Sequence, residues 1–437
     1  MYNKRATMND VSMLNYIERI KGILVPLFYL KTEGDYGIGD FDSLEYLVSN
    51  LREYNFIEIL PINLPDGSNS PYSPISFYAI DPVYASVKTS LKYFDESKIE
   101  WLKSMQIYLH QFNVVDYEKV RNFKLSIYRS LYRIFLDEDK KFRTQEYKDY
   151  QDFINVNDFW IQKYSEYMSN HFHEDKEFYM FFQWKLYTQL EDIVSIARSR
   201  NVYMCYDIPF YPGKYSIERY TNSDLFSIPV VDGGFYDKSN TKNNQVWHVD
   251  VYNFDKEEDI SNMFSNRIHF YKRYFDALRI DHFNGYFKRY MFKDDKFEEN
   301  NIELKNILQI IQKEKDIFYV FESTQLPVAT EFIKKIGGSE IFTYLNLSRI
   351  IEDTNYREYM DNIMYYSSNH DWGSLMYNNN GKHSEVERII NFIKQKKRYV
   401  ISLEDILYDS RRLNIPGVIN DTNWRIRMLN SISEISL

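Results

Sequence analysis

The sequence predicts an α/β protein whose parallel sheet closes into a (β/α) barrel, on three observations. Short β-branched and aromatic runs recur along the chain, separated by longer amphipathic stretches. Several of these runs stop at an ionisable residue, namely Asp207, Asp281, Glu322 and Asp405, and the carboxyl ends of barrel strands are where catalytic groups sit. No Gly-rich phosphate loop follows the first run, which tells against the open, doubly wound sheet that the same alternation also permits.

The first strand is read at 23–25, inside an apolar stretch over 22–30. That stretch is too short to span a bilayer. Lys31-Thr32-Glu33-Gly34-Asp35 follows it in place of small cleavage-site residues, so it reads as a strand rather than a signal peptide. Further strands are predicted at 56–60, 202–208, 277–280, 317–321, 363–366 and 399–403. Between about 83 and 201 the strand signal fades, and Val120, Phe123, Ile127 and Leu131 recur at the helical period. The expectation is a barrel over 20–437 carrying a largely helical insertion over 85–200 on its strand C-terminal face. The insertion is not expected to be an independent domain, because no repeat, low-complexity tract or Pro/Ser-rich linker marks a boundary.

Composition excludes several functions. The net charge is −9, so no positive field recruits phosphate backbones and a nucleic-acid partner is not expected. One cysteine, Cys205, leaves no internal disulfide and no Cys-cluster metal site, and fits a reducing compartment. The expectation is a cytoplasmic protein with no membrane partner. Aromatic residues make up 18%; such rings suit the apolar faces of sugars, although burial in the core is their ordinary use.

Three acidic residues stand out together. Asp281 ends Leu278-Arg279-Ile280, Glu322 ends the 317–321 run, and Asp371 follows His370 shortly after the 363–366 run. Alone, each reads as a helix cap or turn residue. One or two βα units apart, they can converge on one rim. A metal site could draw on His282, His370 and His248 with Asp281, Asp371 and Asp207. Metal ligation needs histidines held at fixed geometry, and no spacing here supplies it; the pair His171 and His173 lies in a polar stretch with no strand. Glycoside chemistry needs one carboxylate to attack the anomeric carbon and one carboxyl to protonate the leaving oxygen, about 5–5.5 Å apart in a retaining reaction. Arg279 shares a strand face with Asp281 and is expected to hold it ionised. Glu322 follows Tyr319, Val320 and Phe321, an apolar setting expected to keep it protonated.

Blocks along the chain then resemble a known family. Gly37-Ile38-Gly39-Asp40-Phe41 follows the first strand. Next come Asn69-Ser70-Pro71-Tyr72-Ser73, Asp81-Pro82-Val83-Tyr84 and Tyr206-Asp207-Ile208-Pro209-Phe210. Asn244-Gln245-Val246-Trp247, RIDHFNG at 279–285 and Ser368-Asn369-His370-Asp371 lead to Glu404-Asp405-Ile406-Leu407, Arg412-Leu413-Asn414-Ile415-Pro416-Gly417 and Asn423-Trp424. In this order, over about 20–427, they resemble 4-α-glucanotransferases of the amylomaltase (disproportionating enzyme) family, glycoside hydrolase family 77 of the α-amylase clan. The resemblance implies a (β/α)8 TIM barrel with no C-terminal β-sandwich and no room for a starch-binding module. It implies transfer of α-1,4-glucan segments between maltooligosaccharides, with no cofactor and no metal. Asp281 would be the nucleophile, Glu322 the acid/base and Asp371 the carboxylate that binds and distorts the sugar. Arg279 and His370 would accompany them, supported by Asp207, with Tyr72 and Trp247 as stacking surfaces and Asn414 bonding a glucose hydroxyl. The bland readings are a core indole for Trp247 and a structural histidine for His370.

The chain departs from the family pattern at several places. Ser323-Thr324-Gln325-Leu326 follows the glutamate where the family has Asp-Leu-Gly, Asn284 replaces an arginine, and Asn244 and His248 replace glycines beside Gln245 and Trp247. Trp372 replaces an asparagine after Asp371. An α-glucan hydrolase and a non-catalytic glucan-binding protein are the alternatives these departures leave.

Overall fold

Runs with no polar alternation can be buried on both faces only in a sheet covered by helices, and that is how this chain uses them. The computed structural model describes residues 19–226, 232–235, 244–294, 296–323, 326–343, 362–435 and 437. Its strands begin with β1 (Ile20–Val25), β2 (Phe56–Ile59), β3 (Tyr203–Ile208), β4 (Asp232–Phe235), β5 (Gln245–Asp250) and β6 (Ala277–Ile280). They continue with β7 (Lys288–Lys293), β8 (Lys296–Asn301), β9 (Phe318–Phe321), β10 (Ser339–Thr343), β11 (Ile363–Tyr366) and β12 (Arg398–Ser402). Eight of them close a parallel barrel in the order β1-β12-β11-β10-β9-β6-β3-β2, with β1 pairing both β12 and β2. Every residue of β2, β6 and β9 is buried.

Helices Glu96–His110, Tyr117–Ile134, Gln145–Val156, Asp158–Phe172 and Lys176–Ser199 lie between β2 and β3. Four begin on a side-chain cap: Asp95, Asp116, Thr144 and Asp175 accept backbone N–H groups of the first turn. Val120, Phe123, Ile127 and Leu131 form the buried stripe of Tyr117–Ile134. The turn at 37–41 fastens these helices to the barrel. A Cβ at Gly39 would lie 2.0 Å from the Leu27 carbonyl oxygen, so only glycine fits there. Asp40 then caps helix Phe41–Asn50 through Asp42 N and Ser43 N, and its other oxygen pairs with the fully buried Lys124 at 2.5 Å.

The strand set is larger than the sequence indicates. β10 was not expected; its first residues, Ser339 and Glu340, are polar yet buried. Nor was the second sheet, antiparallel in the order β5-β4-β7-β8, which stands beside the barrel. Asp405, one of the strand-end carboxylates, serves structure: it accepts Ser367 Oγ and Leu375 N at 2.5 Å and Ser368 Oγ at 2.6 Å. None of the described helices is long and apolar enough to cross a membrane.

Candidate active site

Parallel pairing of β6 with β9 sets Arg279 opposite Val320 and Ile280 opposite Phe321, so Asp281 and Glu322 leave adjacent strands at one level. The ladder continues past both: Glu322 N donates to Ile280 O at 3.1 Å, and Phe283 N to Glu322 O at 2.8 Å. His282 sits between them at φ +46°, a left-handed conformation unusual for a non-glycine residue. That twist lets its N–H donate to Glu322 Oε2 at 2.9 Å. Asp207 arrives on β3 opposite Arg279, and His370 and Asp371 follow β11.

Arg279 is buried at the centre of four carboxyls. Its Nη1 donates to Asp207 Oδ2 and, at 3.2 Å, to Asp281 Oδ1. Its Nη2 lies 3.0 Å from Glu322 Oε1, and its Nε 3.8 Å from Glu58 Oε1. Asp281 and Glu322 also share a hydrogen bond. Above them opens a cavity of about 370 Å3, lined by Tyr72, Trp247, Asp281, Glu322, His370, Asp371 and Asn414 among others, a size in the range of small-molecule sites. Of the nine sequence-predicted site residues these seven face it; Arg279 and Asp207 lie buried beneath. Among the described residues no group of three or more His, Cys, Asp or Glu side chains could hold a metal ion.

Electrostatics push the central pair in opposite directions. Burial and the neighbouring Glu322 charge push Asp281 well above the ordinary carboxyl range. For Glu322 burial acts upward as well, but Arg279, the His282 N–H and His370 outweigh it and hold that carboxyl low. In the ligand-free site the two carboxyls are thus pushed in opposite directions, Asp281 toward its protonated form and Glu322 toward its charged form, whereas strand neighbours lead to the opposite expectation. The reason is that Arg279 reaches both groups, while the strong backbone donor reaches only Glu322; the Phe210 N–H contact to Asp281 is 3.4 Å. Asp371, 31% exposed, is pushed up to about 7 by burial and by Glu322. Its Oδ1 accepts Asn414 Nδ2 at 3.2 Å, and its carbonyl accepts Arg412 Nη2 at 2.6 Å.

Buried acids and histidines set opposite limits on stability. Burial pushes His282 and His370 down to about 4; the unfolded chain binds more protons there, so stability is lost as pH falls from 6.5 through that value. Burial pushes Glu58 and Glu404 up to about 8 and Glu218 to about 7. Their contribution is present below 4.5 and lost as pH rises through those values. The thermal midpoint is expected to peak at about pH 5–6 in scanning calorimetry; a midpoint that climbs steadily into the alkaline range is the contrary result.

Aromatic rings form the walls. Tyr72 stacks on His370, with centroids 4.7 Å apart, and donates its hydroxyl to Asp207 Oδ2 at 2.6 Å. Trp424 tilts against both rings at 5.9 and 5.5 Å. Trp247 stands edge-on to His282 at 4.7 Å, its Nε1 donating to Gln245 at 2.8 Å. Across the mouth Gly417, at φ +72°, meets Gln245 so closely that an added Cβ would sit 3.3 Å from its Cα. Loop and β5 thus join over one side of the cavity.

A sequence model of the family described as 4-alpha-glucanotransferase matches residues 25–176 and 169–400. The chain belongs to the 4-alpha-glucanotransferase family. A relative named 4-alpha-glucanotransferase from Chlamydia muridarum is 26% identical over 62% of this chain, and the match spans 56% of that protein, little more than half its length. One of the same name from Aquifex aeolicus is 24% identical, over 94% of this chain and 96% of the relative. Among solved structures, the amylomaltase from Streptococcus agalactiae in complex with acarbose superposes with a TM-score of 0.77 at 19% identity, covering 94% of this chain and 95% of its own. The amylomaltase from Corynebacterium glutamicum gives 0.78 at 14% identity, over 97% of this chain and 73% of its own. These likenesses establish the (β/α)8 barrel.

Set against the family pattern, the departures are not scattered. Ser323, in place of the family's aspartate, donates Oγ to Asn284 Oδ1 at 3.1 Å, and Asn284 stands in place of its arginine. Two changes read separately are one neutral contact on the cavity wall. Thr324 and Gln325 lie outside the described residues. His248 replaces a glycine yet keeps φ +55°. Sequence reasoning missed Glu58, whose signal was a carboxylate inside an apolar strand. It missed Arg412 and Asn369, whose Oδ1 accepts the N–H groups of Asp371 and Trp372 at 3.1 Å. It also gave no role to Trp424.

Proposed function

We propose that the protein is a cytoplasmic enzyme that transfers α-1,4-glucan segments between maltooligosaccharides by a retaining double displacement. The observation that carries this reading is the convergence of Asp281, Glu322 and Asp371 on one cavity above a single guanidinium. Donor glucan enters with a ring between the two central carboxyls, separating them toward the about 5–5.5 Å of a retaining pair. As the ring begins to enter and before the two part, the proton of the pair moves onto Glu322 along the hydrogen bond they share. Asp281, now anionic, attacks the anomeric carbon while Glu322 protonates the leaving 4-oxygen, and a β-glucosyl ester forms on Asp281. Glu322, again a carboxylate, takes the proton of an incoming 4-hydroxyl as that oxygen displaces the ester. Asp371 and Asn414 hold sugar hydroxyls at the reacting ring, Arg279 and Asp207 fix the carboxyls from below, and Tyr72, Trp247 and His370 shape the walls. The two central carboxyls supply the proton and nucleophile chemistry while Arg279 holds them, and no cofactor is invoked. The barrel with its helices over 85–200 acts as one unit.

Maltotriose tests the reading. Pure protein is expected to give glucose together with maltopentaose and longer oligomers, resolved by anion-exchange chromatography. Glucose and maltose alone would mean hydrolysis, and unchanged maltotriose with measurable sugar binding would mean a non-catalytic glucan binder.

A further inference from the structure

β2 carries a carboxylic acid where packing needs none. Its other residues, Phe56, Ile57 and Ile59, are apolar, yet Glu58 is 1% exposed and lies beneath the site. Its Oε1 stands 3.8 Å from Arg279 Nε, and its Oε2 accepts the Tyr366 hydroxyl. The groups that face it are Cys205 and Asp207 from β3, Arg279 from β6, Glu322 from β9 and Tyr366 from β11; its partner on β1 is the apolar Leu24. Arg279 spends Nη1 on Asp207 and Asp281 and Nη2 on Glu322. Nε is the edge turned toward Glu58, and 3.8 Å is beyond a hydrogen bond. The guanidinium is therefore poised between two directions of pull: upward to the paired carboxyls, downward to β2.

We propose that Glu58 is a positioning residue: as a neutral acid held by Tyr366 it leaves Arg279 engaged with Asp281 and Glu322, and on ionising it draws the guanidinium toward β2 and switches transfer off. A charged Glu58 is an anion facing the free Nε–H across a short gap in a low-dielectric interior, so closing that gap is favoured. The rigid guanidinium fork cannot close it without moving Nη1 and Nη2 away from the pair above. Burial, working against the attraction of Arg279, pushes Glu58 up to about 8, which sets the switch on the alkaline side of neutrality. Tyr366 tunes it, because its hydroxyl stabilises the ionised form.

This inference rests on the transfer chemistry proposed above, and its test separates the two. The rate of maltotriose disproportionation, as kcat/KM against pH with each profile normalised to its own maximum, is measured for the wild type, Glu58→Gln and Tyr366→Phe. The wild type is expected to lose activity above about pH 8; Glu58→Gln, uncharged at every pH, moves that fall upward by about one pH unit or more. Tyr366→Phe, which removes the hydroxyl that favours ionisation, moves it upward by less and reports independently if Glu58→Gln folds poorly. A purely structural role for Glu58 would lower rates evenly and leave the limb in place. Alkaline midpoints that coincide with the wild type in both variants overturn the proposal while leaving the transfer chemistry standing; a wild type that makes no longer oligomers at any pH overturns both.

Discussion

Asp281→Asn is expected to lower kcat/KM for glucan transfer by about 10^4-fold or more and to leave the fold as it is. An amide oxygen cannot form the glucosyl ester, so the covalent route closes outright. Substitution at a buried site surrounded by charges usually damages folding too, and here the upward push on Asp281 says otherwise. Burial and the Glu322 charge push Asp281 toward its neutral form in the ligand-free site, so the amide stands in for a neutral carboxyl of the same shape. Its oxygen still accepts Arg279 Nη1, the bond Asp281 Oδ1 makes at 3.2 Å, and its NH2 donates to Glu322 as the acid proton does. The thermal midpoint is expected within about 2 °C of the wild type, with maltotriose still bound. Transfer retained above about 1% of the wild-type rate would remove Asp281 from the chemistry.

That prediction depends on something strand neighbours could not reveal. The apolar runs at β1, β2, β3, β6, β9, β11 and β12 were legible because strands buried on both faces have nothing polar to interrupt them. β10 was not, because Ser339 and Glu340 are polar residues whose partners come from elsewhere: Arg398 donates to Ser339 Oγ at 3.0 Å, and Thr330 to Glu340 Oε1 at 3.0 Å. The ribbon β7–β8 reads as a charged loop, yet Phe292 opposite Phe297 sets its register. At the site, the ends of β6 and β9 named Asp281 and Glu322, since a charge after a buried strand must face an opening. Adjacency to Arg279 and to Phe321 suggests an ionised Asp281 and a protonated Glu322, while the neighbours brought in by the fold push the two carboxyls the other way. The deciding donor, the His282 N–H, owes its direction to one left-handed residue, and no local pattern at 279–285 announces that conformation. Glu58 stayed hidden for the complementary reason: a single carboxylate in a strand acquires meaning only when the barrel closes and brings β2 below β6.

Arg279→Met is expected to cost about 3–5 kcal/mol of stability near neutral pH and to abolish transfer. Methionine fills much of the same volume, so the loss is electrostatic rather than a matter of packing. Removing the guanidinium strands Asp207 and Glu322 as buried carboxyls beside Asp281 and Glu58, and among the described residues Arg279 is the cation that pairs with all four. The pH dependence identifies the cause. Glu322 is held down to about 2 in the folded protein, with Arg279 foremost among the groups that overcome its burial. A depressed carboxyl contributes stability that is present above its unfolded value of 4.5 and lost as pH falls through the folded value. Without Arg279 burial is left to raise Glu322, so the gap between wild type and variant is widest in the alkaline range and narrows as pH falls, first as the stranded carboxyls take up protons and then as the wild type loses its own contribution toward about pH 2. Urea unfolding of both proteins across that range measures it. A gap below about 1 kcal/mol, or one that stays constant with pH, would mean that the guanidinium serves as filler and that the carboxyls above it are held in place by the backbone alone.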